Sequence, residues 1–547
     1  MKKLIFKVMT VAIAALSLAS CDNASKMIEA ADQVKIVCNP EVLEVIAGNI
    51  DARVDVTFPQ EYFLPKAILE VTPIIIYEGG EVEGKKFMYQ GEKITENFKT
   101  VTKEGATISE KVHFEYAKGM EKCQLIARAK VIYNGNEYAF PSDIKIADGA
   151  NTTYMLVNEK GSYDFMPDGY KEVIDEQQEA QILYLINSAE VRNSELKSDD
   201  IKAFQEALKN LAADSRREVK GTEILAYASP DGAEALNNKL SSNREKSAQK
   251  AFDKVTKKLN AGDVTSRSIG EDWEGFKSLV EASDIEDKDL IIRVLSMYSD
   301  SNVREREIKN MSAVYSSLAK NVLPQLRRAR FITSVEYTNY TAAELEELVA
   351  NNIDVLDEPA LLRAAANAKD ANAKIAIYKQ AIKKFGSEKA KFNAAAVYAN
   401  EGKDADAKAM LATMNDENCC VKNLKGVLAM RAGNYAEASN YFAGSNCENA
   451  KANQAVIDIL NGKYADAAAK LAGTGDKNEA LAYILTNQLD KAAAANKCEC
   501  ARGSYLNAII AARQGNANAA QAGIEAASAK EFFAERAKKD IEFAKIK

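Results

Sequence analysis

The stretch AYASPDGAEALNNKLSSNR, residues 226–244, joins a short apolar run to a polar segment of helical character. The turn between them is Ser-Pro-Asp-Gly, and these residue types favour a loop. From residue 233 to residue 259 the pattern predicts one long helix. The stretch therefore predicts a strand, a polar loop and a helix, in that order.

Strands and helices alternate on both sides of this stretch, between residues 179 and 340. Strands are predicted at 180–186, 222–228, 265–269 and 330–337, with helices over about 274–320. A further helix at 199–213 carries an apolar face formed by Ile201, Phe204, Leu208 and Leu211. Such alternation predicts an α+β domain whose loops gather at one end of a sheet.

The order of residues in the stretch resembles the core signature of OmpA-like peptidoglycan-binding domains. The matching positions are Tyr227, Gly232, Asn237, Leu240, Ser241 and Arg244, followed later by Gly270-Glu271 and Arg327-Arg328. The resemblance covers residues 179–340. It implies the α+β fold of that family and a site for the peptidoglycan stem peptide.

In that family an aspartate takes the ammonium of diaminopimelate, and an arginine forks onto its carboxylate. Arg244 matches the arginine, Ser229 stands at the aspartate position, and Asp231 follows two residues later. The resemblance thus implies a peptidoglycan-binding set of Ser229, Asp231, Asn237 and Arg244. Two alternatives remain at this stage: Asp231 caps the following helix, and Arg244 is a solvated charge on a helix face.

The region from 341 to 547 is rich in alanine and shows no strand pattern. A unit Gly-x-h-x-x-Ala-x-x-x-h, with h usually apolar, begins at Gly402, Gly433 and Gly462, and in degenerate form at Asn487 and Gly515. This period predicts stacked helical hairpins, an α-solenoid. The unit resembles tetratricopeptide repeats, which implies a concave face for an unknown envelope protein; a purely structural spacer is the alternative.

The first residues predict a secretory signal peptide, residues 1–20, because a positive start is followed by a short apolar run. Its ending, Leu-Ala-Ser-Cys, resembles the lipobox of bacterial lipoproteins. That resemblance implies acylation of Cys21 and attachment to the outer membrane, with the protein facing the periplasm. An ordinary cleaved signal with an incidental cysteine is the alternative.

The stretch between this anchor and the α+β domain divides in three. A lipidated linker is predicted at 21–33, and short alternating strands at 34–150 predict an all-β sandwich of immunoglobulin type. Cys38 and Cys123 both fall in this sandwich and are candidates for a disulfide. A second linker is predicted at 151–178.

Composition excludes several classes of function. The net charge of −7 and a pI near 5.4 argue against a nucleic-acid partner. A single histidine, His113, leaves no catalytic triad, so no catalytic residue and no cofactor are predicted. The pairs Cys419-Cys420 and Cys498-Glu499-Cys500 lack the two-residue gap that suits zinc, so no metal site is predicted.

The sequence as a whole predicts a multidomain, noncatalytic lipoprotein: an all-β sandwich, an α+β OmpA-like domain and an all-α helical-repeat solenoid. Its predicted function is to link the outer membrane to peptidoglycan while the repeats organise other envelope proteins. The alternative is an accessory scaffold subunit of an outer-membrane secretion, pilus or barrel-assembly machine, in which the OmpA-like domain no longer binds peptidoglycan.

Overall fold

The computed structural model describes residues 23–546, so the predicted signal peptide and Cys21 lie outside the described residues. The chain forms two compact units. Among the described residues, one unit comprises 23–166 together with 391–546, and the other comprises 167–390. Within the described range no helix has the length and apolar character needed to cross a membrane.

The first unit begins with the short helix α1 (Asn23–Glu29) and a β-rich region. Its strands are β1 (Lys35–Asn39), β2 (Val42–Ile46), β3 (Asn49–Phe58), β4 (Ala67–Tyr77), β5 (Gly80–Glu83), β6 (Phe87–Gly91), β7 (Lys99–Val101), β8 (Ala106–Glu115), β9 (Cys123–Tyr133), β10 (Asn136–Ala139) and β11 (Ile144–Asn151). The path of paired strands is β1-β3-β2-β11-β9-β4-β6-β7, with β8 on β3, β5 on β4 and β10 on β9.

This region differs from the predicted two-sheet sandwich in one respect. Strand β2 pairs antiparallel with β3 and parallel with β11, so all the strands belong to one continuous sheet. The two halves still face each other, because Val54 and Val112 from one half line the same apolar cavity as Leu69 and Ala129 from the other. The β-rich prediction is confirmed, and β2 connects what the sequence pattern suggested as separate sheets.

The candidate disulfide between Cys38 and Cys123 does not form, since both cysteines are free thiols. Cys38 lies on β1 and Cys123 on β9, and three strands separate these two in the sheet. Alternating sequence patterns locate strands, but they do not reveal which strands become neighbours.

The second unit is an α+β arrangement followed by helices. Its elements are β12 (Val173–Leu183), α2 (Asp199–Ala213), β13 (Arg217–Ala228), α3 (Glu234–Thr256), β14 (Asp263–Glu271), α4 (Trp273–Glu281), α5 (Lys288–Met297), α6 (Ser301–Asn310), α7 (Ser312–Asn321), α8 (Leu323–Leu326), β15 (Arg328–Thr338), α9 (Ala342–Asn351), α10 (Glu358–Asn367) and α11 (Ala371–Phe385). The sheet order is β12-β15-β13-β14, and only β13 and β14 run parallel.

The core of this unit confirms the predicted helix face. Ile201, Phe204, Leu208 and Leu211 of α2 are buried. The ring of Phe204 lies beside that of Phe252 from α3, and Phe252 in turn meets Phe331 of β15 edge-on at 5.0 Å between centroids. One aromatic cluster therefore fixes both helices on the same face of the sheet.

The remainder of the first unit consists of helical hairpins. The helices are α12 (Glu388–Asn400), α13 (Asp404–Leu411), α14 (Cys419–Arg431), α15 (Tyr435–Ala443), α16 (Glu448–Leu460), α17 (Tyr464–Leu471), α18 (Glu479–Leu485), α19 (Leu489–Ala495), α20 (Ala501–Arg513), α21 (Ala517–Ala527) and α22 (Glu531–Lys539). The first residue of each predicted unit, a glycine or Asn487, lies in the turn of a hairpin.

Two features of the predicted repeat unit are confirmed. Gly402, Gly433, Gly462 and Gly515 adopt positive φ angles, and Asn487 takes the same left-handed conformation in the degenerate unit. The unit alanines Ala407, Ala438, Ala467, Ala492 and Ala520 are fully buried, as close approach of two helices requires. The chain thus carries five consecutive hairpins from α12 to α21.

The β-rich region and the hairpins share one hydrophobic core. Leu43 and Ile50 from the sheet belong to the same buried cluster as Leu481 and Ile509 from the hairpins. Sequence patterns indicated two separate domains here, 34–150 and 341–547. The first three helices of the second range, α9–α11, instead belong to the other compact unit.

Candidate functional site

The predicted peptidoglycan loop lies where β13 ends and β15 begins. Because these strands run antiparallel, with Ala226 opposite Ala329, the loop after β13 meets the residues just before β15. Ser229 Oγ donates to Asp231 Oδ1 at 2.6 Å, and Arg327 Nη2 donates to Asp231 Oδ2 at 3.0 Å. The carboxylate of Asp231 is therefore engaged by its own chain on both oxygens.

Arg244 extends from α3 into the interior of the unit, and its side chain is fully buried. Its guanidinium donates to three backbone carbonyls: Ser188 O at 3.0 Å, Tyr227 O at 2.9 Å and Leu185 O at 3.3 Å. It also lies 5.0 Å from the centroid of the Tyr184 ring. Burial lowers the pKa of Arg244 to about 10. The interpretation of Arg244 as a solvated helix-face charge is wrong.

Asn237 connects the loop to the end of β14. Its Nδ2 donates to Gly232 O at 3.1 Å and to Glu271 Oε1 at 2.8 Å. The other oxygen of Glu271 accepts a bond from the indole of Trp273 at 2.9 Å. The N-cap of α3 is Ala233, which makes no side-chain capping bond, so Asp231 does not cap this helix.

The four predicted residues thus come together at one end of the sheet, and each is bonded within the chain. The charges of these residues also interact. Burial has the largest effect on the pKa of Arg244 and lowers it, and Tyr184 raises it; smaller effects come from Arg327, which lowers this pKa, and Asp231, which raises it. The cluster holds two guanidinium groups, Arg244 and Arg327, and two carboxylates, Asp231 and Glu271, of which Glu271 is bound to Asn237. Chemically, the cluster can hold an anionic group, provided that Arg244 gives up its carbonyl partners.

A second site, which the sequence analysis did not identify, lies on the hairpins. The segment 157–166, which leads out of the β-rich region, runs along the first helices of successive hairpins. Three asparagine side chains each bind both main-chain polar groups of one segment residue, with Oδ1 accepting from the N–H and Nδ2 donating to the carbonyl. The two distances are 2.7 and 3.0 Å for Asn478 with Asn158, 2.8 and 2.8 Å for Asn453 with Ser162, and 2.8 and 3.0 Å for Asn393 with Met166. We call the row of Asn393, Asn453 and Asn478 the asparagine row.

The repeat geometry explains why these side chains align. Asn393, Asn453 and Asn478 each stand nine residues before the turn residue of their hairpin, which is Gly402, Gly462 or Asn487. Equivalent positions on stacked hairpins face the same groove. The recurring asparagine was visible in the sequence, but its meaning was not, since asparagine in a helix is ordinarily a weak signal.

The cysteines of the hairpins include one disulfide and three free thiols. Cys498 and Cys500 form a disulfide, whereas Cys419, Cys420 and Cys447 are free. Across residues 23–546, no group of three or more His, Cys, Asp or Glu side chains is arranged to hold a metal ion.

Among known proteins, the chain resembles a solved structure of low similarity. No family model matches the chain, and no curated protein matches its sequence. A tetratricopeptide repeat protein from Parabacteroides merdae ATCC 43184, known from a crystal structure, is similar at 16% identity and a TM-score of 0.26. The match covers 49% of this chain and 99% of that one. At this TM-score the similarity carries no argument, so the assignment of helical repeats rests on the five hairpins.

Proposed function

We propose that the protein is a noncatalytic scaffold of the bacterial cell envelope, attached to the outer membrane through a lipid on Cys21 and facing the periplasm. The asparagine row is the observation that supports the scaffold role, and the Leu-Ala-Ser-Cys sequence at residues 18–21 is what supports the anchor. The row binds the main chain of a nonhelical stretch of polypeptide, and a helical array that does so is suited to holding protein segments. In this role the α+β domain is carried by the scaffold and has no ligand of its own.

Linkage to peptidoglycan is the second candidate. The guanidinium groups of Arg244 and Arg327 favour it, because the stem peptide offers a carboxylate that a guanidinium can bind. We place it second because Arg244 would have to exchange three carbonyl bonds for one ligand.

Sedimentation with purified peptidoglycan tests the order of these two candidates. We expect the soluble protein, prepared without residues 1–21, to remain in the supernatant. If the protein sediments, and Asp231→Asn abolishes sedimentation while Asp253→Asn on the exposed face of α3 does not, the linkage candidate takes first place.

The lipid anchor has its own test. In cells fed tritiated palmitate, label is expected on the protein and is expected to be lost in Cys21→Ala. Label that persists in Cys21→Ala contradicts acylation at this cysteine.

A further inference from the structure

The segment 157–166 lies along the surface of the hairpins, where Val157, Tyr163 and Met166 are half-buried against the hydrophobic clusters of the helices. None of its ten residues is buried, and Lys160, Asp164 and Phe165 are exposed. The asparagines beneath it are the reverse, with 1% of Asn453, 2% of Asn478 and 3% of Asn393 exposed. The segment therefore covers polar side chains in the manner of a bound peptide.

The contacts follow a regular register along the segment. The bound residues are Asn158, Ser162 and Met166, so one asparagine of the row serves every fourth residue. Each amide side chain accepts from a main-chain N–H and donates to the carbonyl of the same residue. The bonds of the row use no side chain of the segment. Other hairpin groups bind three side chains of the segment: Tyr435 donates to Glu159 at 2.7 Å, Asn449 donates to Asp164 at 2.6 Å, and Asn400 accepts from Tyr163 at 2.7 Å.

Further groups reinforce the same main chain. Asn423 of α14 donates to Ser162 O at 2.9 Å and accepts from Asn453 at 2.8 Å. Arg431 donates to Lys160 O at 2.8 Å, and Arg502 donates to Leu156 O at 2.9 Å. Together with the asparagine row, these groups give the main-chain carbonyls of residues 156–166 amide or guanidinium donors from all five hairpins.

One position of the segment tolerates only glycine. Gly161 has a φ of +71°, a conformation that other residues rarely adopt. A Cβ atom added to Gly161 would lie 2.7 Å from Cγ1 of Val427, a fully buried residue of α14. The main chain therefore approaches helix α14 so closely at residue 161 that the groove has no room for a side chain there.

We propose that the groove along the asparagine row is a binding site for peptides without regular secondary structure, and that segment 157–166 occupies it as an intramolecular ligand. In this state the groove is closed to partners. Displacement of the segment opens it to a peptide of the same kind, one with a glycine three residues after the first bound position. This inference rests on the proposed scaffold function for its biological use, but its test measures peptide binding and does not involve peptidoglycan or the lipid anchor.

The probe is a fluorescein-labelled synthetic peptide of residues 155–168, titrated against the full chain and followed by fluorescence anisotropy. The unaltered protein is expected not to bind it, because the groove is occupied. Gly161→Val is expected to bind it, since the intramolecular segment no longer fits against Val427. Adding Asn453→Ala to that variant is expected to weaken the affinity by about tenfold or more, through the loss of two hydrogen bonds.

Gly169→Val is the matched control. Gly169 also has a positive φ, +72°, so the backbone strain is similar. A Cβ atom on Gly169 would meet nothing closer than the tip of Lys389, at 3.8 Å. This variant is expected to exclude the peptide as the unaltered protein does. Failure of the peptide to bind Gly161→Val, or equal binding by both glycine variants, overturns the proposal.

Hydrogen exchange on the unaltered protein decides the matter if Gly161→Val does not fold. A displaceable ligand opens locally, so the amides of Asn158, Ser162 and Met166 are expected to exchange at least tenfold faster than core amides of α14 and α16. Exchange of these amides only together with the helices would make the segment an integral part of the fold and would overturn the proposal.

Discussion

Asn453 and Ser162 form a reciprocal pair, in which the amide side chain of Asn453 donates to Ser162 O at 2.8 Å and accepts from Ser162 N at 2.8 Å. The two residues are 291 positions apart in sequence. A buried polar side chain in a repeat helix is thus satisfied by a segment that leaves the β-rich region.

Removal of this pair is expected to reduce stability measurably. Asn453→Ala deletes both bonds to Ser162 and the bond to Asn423, so we expect the free energy of unfolding to fall by about 2 kcal/mol. Urea denaturation followed by circular dichroism provides the measurement. Asn440→Ala, at an exposed asparagine of α15, is the control and is expected to change stability by less than about 0.5 kcal/mol. Equal effects would mean that the pair does not stabilise the fold.

Arg244 is expected to be structurally essential. Arg244→Ala leaves three buried carbonyls without their donor and creates a cavity, so we expect a loss of about 3 kcal/mol in unfolding free energy. The comparison is Arg267→Ala, whose side chain is 62% exposed and which is expected to cost less than about 0.5 kcal/mol. If Arg244→Ala is as stable as the parent chain, the side chain is retained for a ligand and not for the fold.

Acid is expected to weaken the start of α9 through one carboxylate. Bonds from the Thr341 backbone and from Arg216 hold the pKa of Glu344 at about 2, below its ordinary value of 4.5. A depressed folded-state pKa contributes stability above the unfolded pKa, and this contribution is lost as the pH falls from 4.5 toward 2. Unfolding measured between pH 5 and 2 is therefore expected to show a smaller pH dependence in Glu344→Gln than in the parent. An identical slope in both proteins would contradict this assignment.

The thiols are expected to fall into two classes. Alkylation of the unfolded, unreduced protein should modify Cys38, Cys123, Cys419, Cys420 and Cys447, and leave Cys498 and Cys500 unmodified. Mass spectrometry of peptides before and after reduction measures this directly. Modification of Cys498 without reduction, or protection of Cys38 together with Cys123, would contradict the assignment of the disulfide.

Sequence patterns predicted local structure well. The apolar face of α2, the strands within β13, β14 and β15, and the glycine–alanine pattern of the hairpins all depend on neighbours along the chain. Periodic burial and turn conformation are local properties, so they can be read from residue spacing.

Tertiary structure alone decided the partners of the site residues. The sequence placed Ser229 and Asp231 in a loop and Arg244 on the helix after it, but it did not show that Arg327 engages Asp231 or that the carbonyl of Leu185 engages Arg244. In the same way nothing near Asn393, Asn453 or Asn478 in the sequence shows that residues 157–166 return to bind them. The residue pattern of each element determined the helices, strands and turns. The pairing of buried polar groups depends instead on which elements meet when the chain folds. The reason is that a hydrogen bond requires contact in space and not proximity in sequence.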